Sequence, residues 1–333
     1  MEANTNKSKM RSSKMYAFAK SLLVLVILIL IFSILSEPFR TVNNMVSIAL
    51  SVAIYGVLAC GISFVLICGG SDISIGSIVG LSGVFMGILI REGFGAVPAI
   101  LLTMLCGAVL GGINGLMVTK MHMIPFVATL GTQYAYRGLT FIFSGGSSIS
   151  IRTAARDEAT LDFLKVLGSG KIFGSIPILI PVMFTFAIIV GIALSKTVFG
   201  RRIYATGSNP EAARLSGINT DFIMTAAYAI SGLGSGLAGV MLTTRLLSAQ
   251  PTAGTSYELE GIAASVIGGV SMMGGQGNIA GAVVGAFVIG VMRNGLNIMG
   301  INSYVQQVVT GLIIIGAVYL DITRRRKEEA SKK

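Results

Sequence analysis

The chain has 333 residues, of which 53% are hydrophobic and only 12% are charged, and its mean hydropathy is +0.81. This composition excludes an ordinary soluble domain and indicates an integral membrane protein surrounded by lipid. The formal net charge is +11. Its cations cluster at the chain ends and in two loops, which is typical of cytosolic membrane flanks, so we expect no nucleic-acid partner.

Residues 1–20 are basic and predict a cytosolic N-terminal tail. The apolar stretch at 21–36 could be a signal peptide, but no small-x-small cleavage site follows it. We therefore interpret 21–36 as a retained first span.

Hydrophobic runs recur along the rest of the chain. They lie at about 21–36, 46–68, 73–90, 94–118, 124–143, 176–195, 222–244, 262–275, 279–292 and 304–320. Several are shorter than the roughly 20 residues that cross a bilayer. The two weakest, 262–275 and 279–292, are compatible with broken or re-entrant helices buried in protein. The predicted fold is all-α, a polytopic integral membrane protein with about ten transmembrane helices.

The distribution of Lys and Arg predicts the orientation. With the N-terminus inside, the inner segments hold the basic start, Lys120, the 196–221 loop and the tail at 323–333. The outer segments are poorer in cations, and four of theirs lie in one long loop at about 144–175. The pattern predicts one membrane domain over 21–322 in the cytoplasmic membrane, with both termini cytosolic.

The loop at about 196–221 contains a short predicted helix with recognisable capping residues at both ends. Asn209 can cap it, Pro210 suits its first position, Glu211 and Arg214 complement its dipole, and Gly217 supplies a left-handed stop. About two turns cannot persist alone in water. The helix is either a solvated connection or an element that docks in a partner's groove. The candidate coupling residues are Gly207, Asn209, Pro210, Glu211, Arg214, Leu215 and Gly217.

A polar, glycine-rich break at 69–77 separates two apolar runs and contains Asp72. Broken backbone at membrane depth is tolerated where it is buried in protein or lines a cavity. Asp72 is therefore a candidate for the solute pathway or its gate, and equally for a helix cap. The candidate pathway residues are Ser71, Asp72, Ser74, Asn114, Thr129 and Gln133. Arg137, near Gln133, either lines a polar interior or snorkels outward.

Glu258 and Glu260 lie at the predicted outer start of the eighth run. Carboxylates there can cap a helix or meet a basic residue of an external partner, so both are candidate docking residues. A paired-carboxylate enzyme would also need a dry pocket around them, and nothing else in the sequence indicates one.

The sequence predicts no cofactor, metal site or nucleotide site. The three cysteines and the single His122 have no metal-ligand spacing. The Gly-x-Gly-x-x-Gly pattern at 234–239 lies inside an apolar span with no strand before it. At 165–172 a phosphate-loop pattern has Lys165 in place of its first Gly and Ile172 in place of its Ser or Thr.

Two other patterns concern helix packing. Small residues recur four apart at Gly107/Gly111, Gly232/Gly236 and Gly277/Gly281/Gly285, which predicts closely approaching helices. Asn-Gly-Leu occurs at 114–116 and again at 294–296, at opposite predicted faces. Such a placement is either chance or the trace of an inverted repeat.

Several segments together resemble the ribose-type permease subunit of bacterial ABC sugar importers. They are Gly-Gly-Ser-Asp-Ile-Ser-Ile-Gly-Ser at 69–77, Ile-Pro-Phe-Val-Ala-Thr-Leu-Gly-Thr at 124–132, and the stretches 199–218, 248–260, 266–275 and 294–300. The resemblance covers about 45–322. Two residues depart from the family pattern: Ser71 stands where Ile or Leu is usual, and Glu260 where Asp is usual.

The resemblance implies a sugar-translocating membrane subunit that is not itself an enzyme. Its partners would be a second permease chain, as a homodimer or heterodimer, a cytosolic ABC ATPase facing 200–217, and an external sugar-binding protein. Pentoses, hexoses, polyols and signalling sugars all fit this class. The alternative function is an ion-coupled secondary transporter of a small polar solute, in which Asp72 would be the coupling carboxylate.

Overall fold

A computed structural model describes the backbone of residues 2–330 and the side chains of 19–316, 318, 319, 322 and 323. Its α-helices are α1 (Glu2–Leu35), α2 (Val42–Ile67), α3 (Ile75–Arg91), α4 (Ala96–Thr119), α5 (Pro125–Ser144), α6 (Ile151–Ala154), α7 (Glu158–Ser169), α8 (Leu179–Lys196), α9 (Val198–Ser208), α10 (Pro210–Leu215), α11 (Thr220–Leu246), α12 (Tyr257–Ile267), α13 (Ile279–Ile298) and α14 (Ser303–Ala330). A 3-10 turn, Pro38–Arg40, precedes α2.

Four two-residue strands form two antiparallel pairs outside the helices. β1 (Ile149–Ser150) pairs with β4 (Ser248–Ala249), and β2 (Lys171–Ile172) pairs with β3 (Ile176–Pro177). The first pair ties the long 145–178 connection to the end of α11. The prediction of an all-α polytopic membrane protein is confirmed.

Each of the ten predicted hydrophobic runs coincides with one helix: α1 to α5, α8 and α11 to α14. Within the described residues, five helices are long and apolar enough to cross a membrane: α2, α4, α8, α11 and α13. Shorter apolar helices cover 19–35, 75–91 and 303–316. The weak eighth run, 262–275, overlaps the second half of α12, which has only 11 residues, and continues into a non-helical segment at 268–278.

Helix α2 forms the centre of the bundle. Its residues from Val52 to Cys68 are buried almost without exception, and they pack against α8, α11, α12 and α13. Helices α1, α4, α8 and α14 lie at the periphery and expose large apolar side chains, as lipid-facing helices do. We call the end of the bundle that bears residues 197–219 the coupling face, and the other end the opposite face.

Helices α4 and α11 touch through their backbones. A Cβ atom at Gly107 or Gly111 would collide with carbonyl oxygens of α11, and one at Gly232 would collide with α4. The predicted close approach at these glycines is confirmed. Such contact replaces side-chain packing by backbone-to-backbone van der Waals contact, which is common between membrane helices.

The glycines of α13 play a similar role within the chain. Gly281 and Gly285 lie directly against the carbonyls of Gly268 and Ala264 at the end of α12. The inclusion of Gly277 in this helical pattern was wrong. α13 begins at Ile279 with Asn278 as its cap, and Gly277 has a φ of +146° outside the helix.

Neighbouring glycines of α4 provide a matched test of this packing. Gly111→Ala places a methyl group against the carbonyl of Tyr228, so we expect a loss of about 1–3 kcal/mol from overpacking. In Gly112→Ala the added Cβ lies 4.0 Å from the Ala229 Cβ, an ordinary contact. That variant should be neutral or gain up to about 1 kcal/mol of helix propensity. Thermal unfolding in detergent measures both, and equal effects would contradict the α4–α11 contact.

Candidate functional site

Helix α12 begins halfway through the bundle. The ring of Tyr257, its first residue, packs edge-on against Tyr55 with 5.4 Å between ring centroids. Tyr55 lies at the middle of α2, about 20 Å from either end at 1.5 Å per residue. Residues 250–256 therefore descend from the opposite face to mid-depth without forming a helix, and α12 continues from there to the coupling face.

Helix α3 begins at nearly the same depth and runs the other way. A Cβ at Gly261 of α12 would lie 3.1 Å from Ile75, the first residue of α3, and 3.3 Å from Leu58 of α2. The segment 68–74 thus returns from the coupling face to mid-depth before α3 starts. Two half-span helices therefore meet N-terminus to N-terminus, which brings the positive ends of their dipoles together. We call 68–74 the first break and 250–256 the second break.

Asp72 organises the first break. One of its carboxylate oxygens accepts hydrogen bonds from the Ser74 N–H at 2.9 Å and the Ser74 hydroxyl at 2.7 Å. The other accepts from the Ser231 hydroxyl of α11 at 3.4 Å. The carboxylate is fully buried, and it holds Ser74, the residue before α3, rather than the first-turn N–H groups of the helix.

The same network extends to two further helices. Asn114 of α4 donates to the Ser74 hydroxyl at 2.7 Å, and the Tyr136 hydroxyl of α5 donates to the Leu110 carbonyl of α4 at 3.0 Å and lies 3.3 Å from Asn114 Oδ1. We call Asp72, Ser74, Asn114, Tyr136 and Ser231 the Asp72 cluster. It joins α4, α5 and α11 to the start of α3.

The backbone of the first break is also satisfied by side chains. The Tyr228 hydroxyl of α11 donates to the Ser71 carbonyl at 2.8 Å. The Ile73 N–H donates to the Thr129 hydroxyl oxygen of α5 at 3.3 Å. Asp72, Ser74, Asn114 and Thr129 are all fully buried. In this conformation they secure the break, and none of the four lines an open passage.

The second break is held by α5. Arg137 donates from Nη1 to the carbonyls of Pro251 at 2.9 Å and Ala253 at 2.7 Å, and from Nη2 to Gly76 at 3.4 Å. Gln133 donates to Glu258 at 3.3 Å. Of the two interpretations of Arg137, the inward one is therefore correct. The four N–H···O contacts join α5, α3 and the start of α12.

Glu260 lies deep in the bundle. It is 1% exposed and forms an ion pair with Arg293 of α13 at 3.0 Å. Arg293 also donates to the Tyr55 hydroxyl at 3.3 Å. Since α12 begins at mid-depth, neither Glu258 nor Glu260 reaches the opposite face. Their geometry does not fit the docking to an external partner that the sequence suggested.

Helix α9 contacts both interior segments at the coupling face. The Gly275 N–H, in the segment after α12, donates to the carbonyl of Ile67 at 2.8 Å, and Gly207 of α9 lies directly against both residues. The Tyr204 hydroxyl donates to the Gly277 carbonyl at 2.7 Å. Burial raises the pKa of Tyr204 to about 12, so this hydroxyl remains a donor throughout the physiological pH range.

Helix α10 has the predicted caps. Asn209 accepts from the Ala212 N–H at 3.0 Å, Pro210 is the first residue, and Gly217 has a φ of +79°. Glu211 is exposed, and Leu215 is 91% exposed.

Ion pairs connect α10 and the end of α4 to the start of α11. Arg214 lies 3.3 Å from Asp221 of α11, and Lys120 after α4 lies 3.6 Å from the same carboxylate.

Sequence reasoning missed Tyr204, Tyr228, Ser231, Tyr136 and Arg293. Tyr228 and Ser231 are three residues apart in an apolar helix, so helical spacing of polar residues was a usable signal for them. For Arg293 the signal was a charge directly after the hydrophobic run at 279–292. Among the residues whose side chains are described, no group of three His, Cys, Asp or Glu could hold a metal ion.

The family model described as the permease component of the branched-chain amino acid transport system matches residues 44–318. The chain belongs to this permease family. It is also similar to the ribose import permease proteins of Bacillus subtilis, at 44% identity over 89% of this chain and 90% of the relative, and of Haemophilus influenzae, at 39% identity over 91% and 92%. The D-allose transport system permease protein of Escherichia coli is 37% identical over 90% and 89%.

The resemblance to ribose-type sugar permeases is therefore confirmed. No solved structure matches the chain.

Two buried serines, Ser74 just before α3 and Ser82 in the middle of α3, test the Asp72 cluster. Ser74→Ala removes a hydroxyl that bonds Asp72 and Asn114, so we expect a loss of about 1–3 kcal/mol because buried polar atoms lose their partner. Ser82→Ala removes a buried hydroxyl without a hydrogen-bond partner among the described residues, and should cost nothing. Thermal unfolding of the two variants in one detergent makes the comparison. A Ser74→Ala protein as stable as Ser82→Ala would contradict the role of the cluster.

Proposed function

We propose that this chain is the membrane subunit of an ATP-driven sugar importer, and that α9 and α10 transmit the movement of a cytosolic ATPase to the two interior breaks. The observation that supports this most directly is the position of α9. Gly207 and Tyr204 contact the end of α2 before the first break and the segment 274–277 after α12. A displacement of α9 therefore acts at once on the chain that leads into the first break and on the segment that follows α12.

The sugar substrate is supported by the names of the relatives. Those at 34–44% identity are described as permeases for ribose, D-allose, fructose and L-arabinose. The family model is described for branched-chain amino acids. We assign this chain a monosaccharide because the full-length relatives match it over about nine-tenths of its length.

We place the coupling face in the cytosol, together with both termini, on the distribution of Lys and Arg. The ATPase would then receive α10. Leu215 projects from the end of that helix, while Arg214 pairs with Asp221 of α11, to which Lys120 of the α4 end is also paired. Gly207 allows α9 to approach the breaks, Asn209 and Pro210 start α10, Glu211 presents charge to the partner, and Gly217 ends the turn.

The remaining partners follow from the same assignment. A second permease chain would lie beside this one in the membrane, and an external binding protein would dock at the opposite face, where residues 145–178 are packed on the end of α11. The chain would be non-catalytic, with hydrolysis in the ATPase. We propose one permease domain over 21–322 with basic cytosolic segments at either end.

Transport would proceed by alternating access between two arrangements of the breaks. The Asp72 cluster and the Arg137 contacts hold the present arrangement, and their geometry is discrete rather than continuously deformable. ATP binding in the partner would shift the population by favouring one position of α9 and α10. The pathway residues Ser71, Asp72, Ser74, Asn114, Thr129 and Gln133 would act as the gate through the positions of the breaks.

Leu215 provides a test of the coupling role. Because its side chain is 91% exposed, Leu215→Asp should leave insertion and thermal stability unchanged. It should abolish uptake driven by the ATPase, since loss of a central interface contact typically costs about 2 kcal/mol or more. Leu215→Met is the matched control and should retain uptake. Full uptake by Leu215→Asp in proteoliposomes that contain the ATPase and the binding protein would remove the coupling role.

The energy source separates this proposal from the ion-coupled alternative. The purified chain alone in liposomes should neither hydrolyse ATP nor accumulate D-ribose on a proton or sodium gradient. Adding the ATPase and a loaded binding protein should start both activities, and L-leucine should not replace D-ribose. Gradient-driven accumulation by the isolated chain that is lost in Asp72→Asn would overturn the ATP-driven assignment.

A further inference from the structure

A polar surface lies exposed at mid-depth on one side of the bundle. Thr252 and Thr255 of the second break are exposed, and Ser256, Gln133 and Arg137 are half-buried beside them. The contacts from Gln133 to Glu258 and from Arg137 to the carbonyls of the break make this one continuous surface. We call it the mid-depth polar surface.

Its depth follows from two independent helices. The end of the second break lies at the middle of α2, because Tyr257 packs on Tyr55. Gln133 and Arg137 lie in the middle of the 20-residue α5. At this depth lipid offers no hydrogen bonds, and non-helical backbone is tolerated only where it is buried in protein or lines a water-filled passage. The exposed, non-helical segment that carries Thr252 and Thr255, beside Arg137, is therefore incompatible with a lipid-facing surface.

Elsewhere at this depth the exposed side chains are mostly apolar, and the exposed Thr185 of α8 lies within a regular helix. Ile188, at the middle of α8, is 60% exposed, and Leu105 of α4 is 57% exposed. These side chains suit contact with lipid tails. The contrast sets the mid-depth polar surface apart from the lipid-facing belt.

The chemistry of the surface suits a neutral solute with many hydroxyl groups. Arg137 and Glu258 carry opposite charges, so together they add no net charge to the surface. The Thr255 hydroxyl donates to the Thr252 carbonyl at 2.7 Å, so it can still accept from a solute, and the hydroxyls of Thr252 and Ser256 can each donate and accept. The Glu258 carboxylate accepts from Gln133 and orients that amide, while its other oxygen is buried against Gly76 of α3.

The facing wall is missing from a single chain. Tyr134 of α5 is 75% exposed, and added Cβ atoms at Gly131 and Gly138 would meet no other atom within 4 Å. α5 therefore has room for a neighbouring protein beside the mid-depth polar surface. A second permease chain can supply that wall without any rearrangement of this helix.

We propose that the mid-depth polar surface is the wall of the solute passage, closed on its far side by the second permease chain, and that it contacts the hydroxyl groups of a neutral sugar through Thr252, Thr255 and Gln133. This inference rests on the proposed function. It assigns the contact with the solute to the second break and α5, while the buried Asp72 cluster secures the first break.

Cysteine accessibility tests the proposal. In a transporter whose permease carries Cys60→Ala, Cys68→Ala and Cys106→Ala and still takes up D-ribose, we would introduce Thr255→Cys, Gln133→Cys or, as the lipid-facing control at equal depth, Ile188→Cys. A membrane-impermeant cationic methanethiosulfonate should label Thr255→Cys and Gln133→Cys about tenfold or more faster than Ile188→Cys in at least one nucleotide state, because only a passage admits water at that depth. D-ribose delivered by the binding protein should slow the labelling.

The possible outcomes distinguish failure of this inference from failure of the proposed function. If the cysteine-free transporter takes up D-ribose but Thr255→Cys, Gln133→Cys and Thr252→Cys react as slowly as Ile188→Cys in every nucleotide state, the passage lies elsewhere and this proposal is overturned. If labelling is fast but D-ribose gives no protection, the surface is wet without contacting sugar, which also overturns the assigned contact. Failure of D-ribose uptake by the unmodified transporter would instead count against the proposed function.

Discussion

The structure depends on how two interruptions of helix are satisfied in the interior of a membrane. Backbone N–H and carbonyl groups outside a helix need partners that lipid cannot supply, and each unpaired group costs several kcal/mol. Here local turns pair some of these groups, and side chains from other helices pair others. Tyr228 and Thr129 serve the first break, and Arg137 serves the second. The breaks can therefore exist only after α5 and α11 have packed around them.

The two breaks also occupy equivalent places in the two halves of the chain. Helices α2 to α5 and α11 to α14 follow the same order: a long helix, a break, a helix that begins at mid-depth, a helix that contains Asn-Gly-Leu, and a further helix. The two series run in opposite directions between the faces. Asn114 bonds the start of α3, and Arg293, next to Asn294, pairs with Glu260 near the start of α12. This order favours the inverted-repeat interpretation of the two Asn-Gly-Leu motifs over chance.

Much of this architecture could be predicted from the sequence, because it depends on local signals. Hydropathy located the membrane helices, and capping residues defined α10. Paired glycines predicted the α4–α11 contact, since their four-residue spacing places both on one helix face.

Depth could not be predicted in the same way. Glu258 and Glu260 precede a hydrophobic run and were therefore expected at its outer start. The residues before them pass from the opposite face to mid-depth without forming a helix. Hydropathy alone therefore places both glutamates at the membrane surface, although they lie near its middle. Gly277 failed for a related reason, because spacing cannot reveal that α13 begins two residues later. The partners of Asp72 depend on tertiary contacts from α4, α5 and α11, which no local pattern encodes.

The contacts at mid-depth differ from those at the coupling face, and this difference indicates how the protein can move. At mid-depth the first break is held by several hydrogen bonds from three helices, so it should shift as a unit rather than loosen. At the coupling face, α9 meets the end of α2 and the segment 274–277 through backbone contact of Gly207 with Ile67 and Gly275, through the Tyr204 hydroxyl and through the Phe199 ring stacked on Phe64. Backbone contact transmits displacement over a short distance without side chains that could yield. The rigid Asp72 cluster can therefore move as a unit, and the close contact at the coupling face can transmit a displacement of α9 to it.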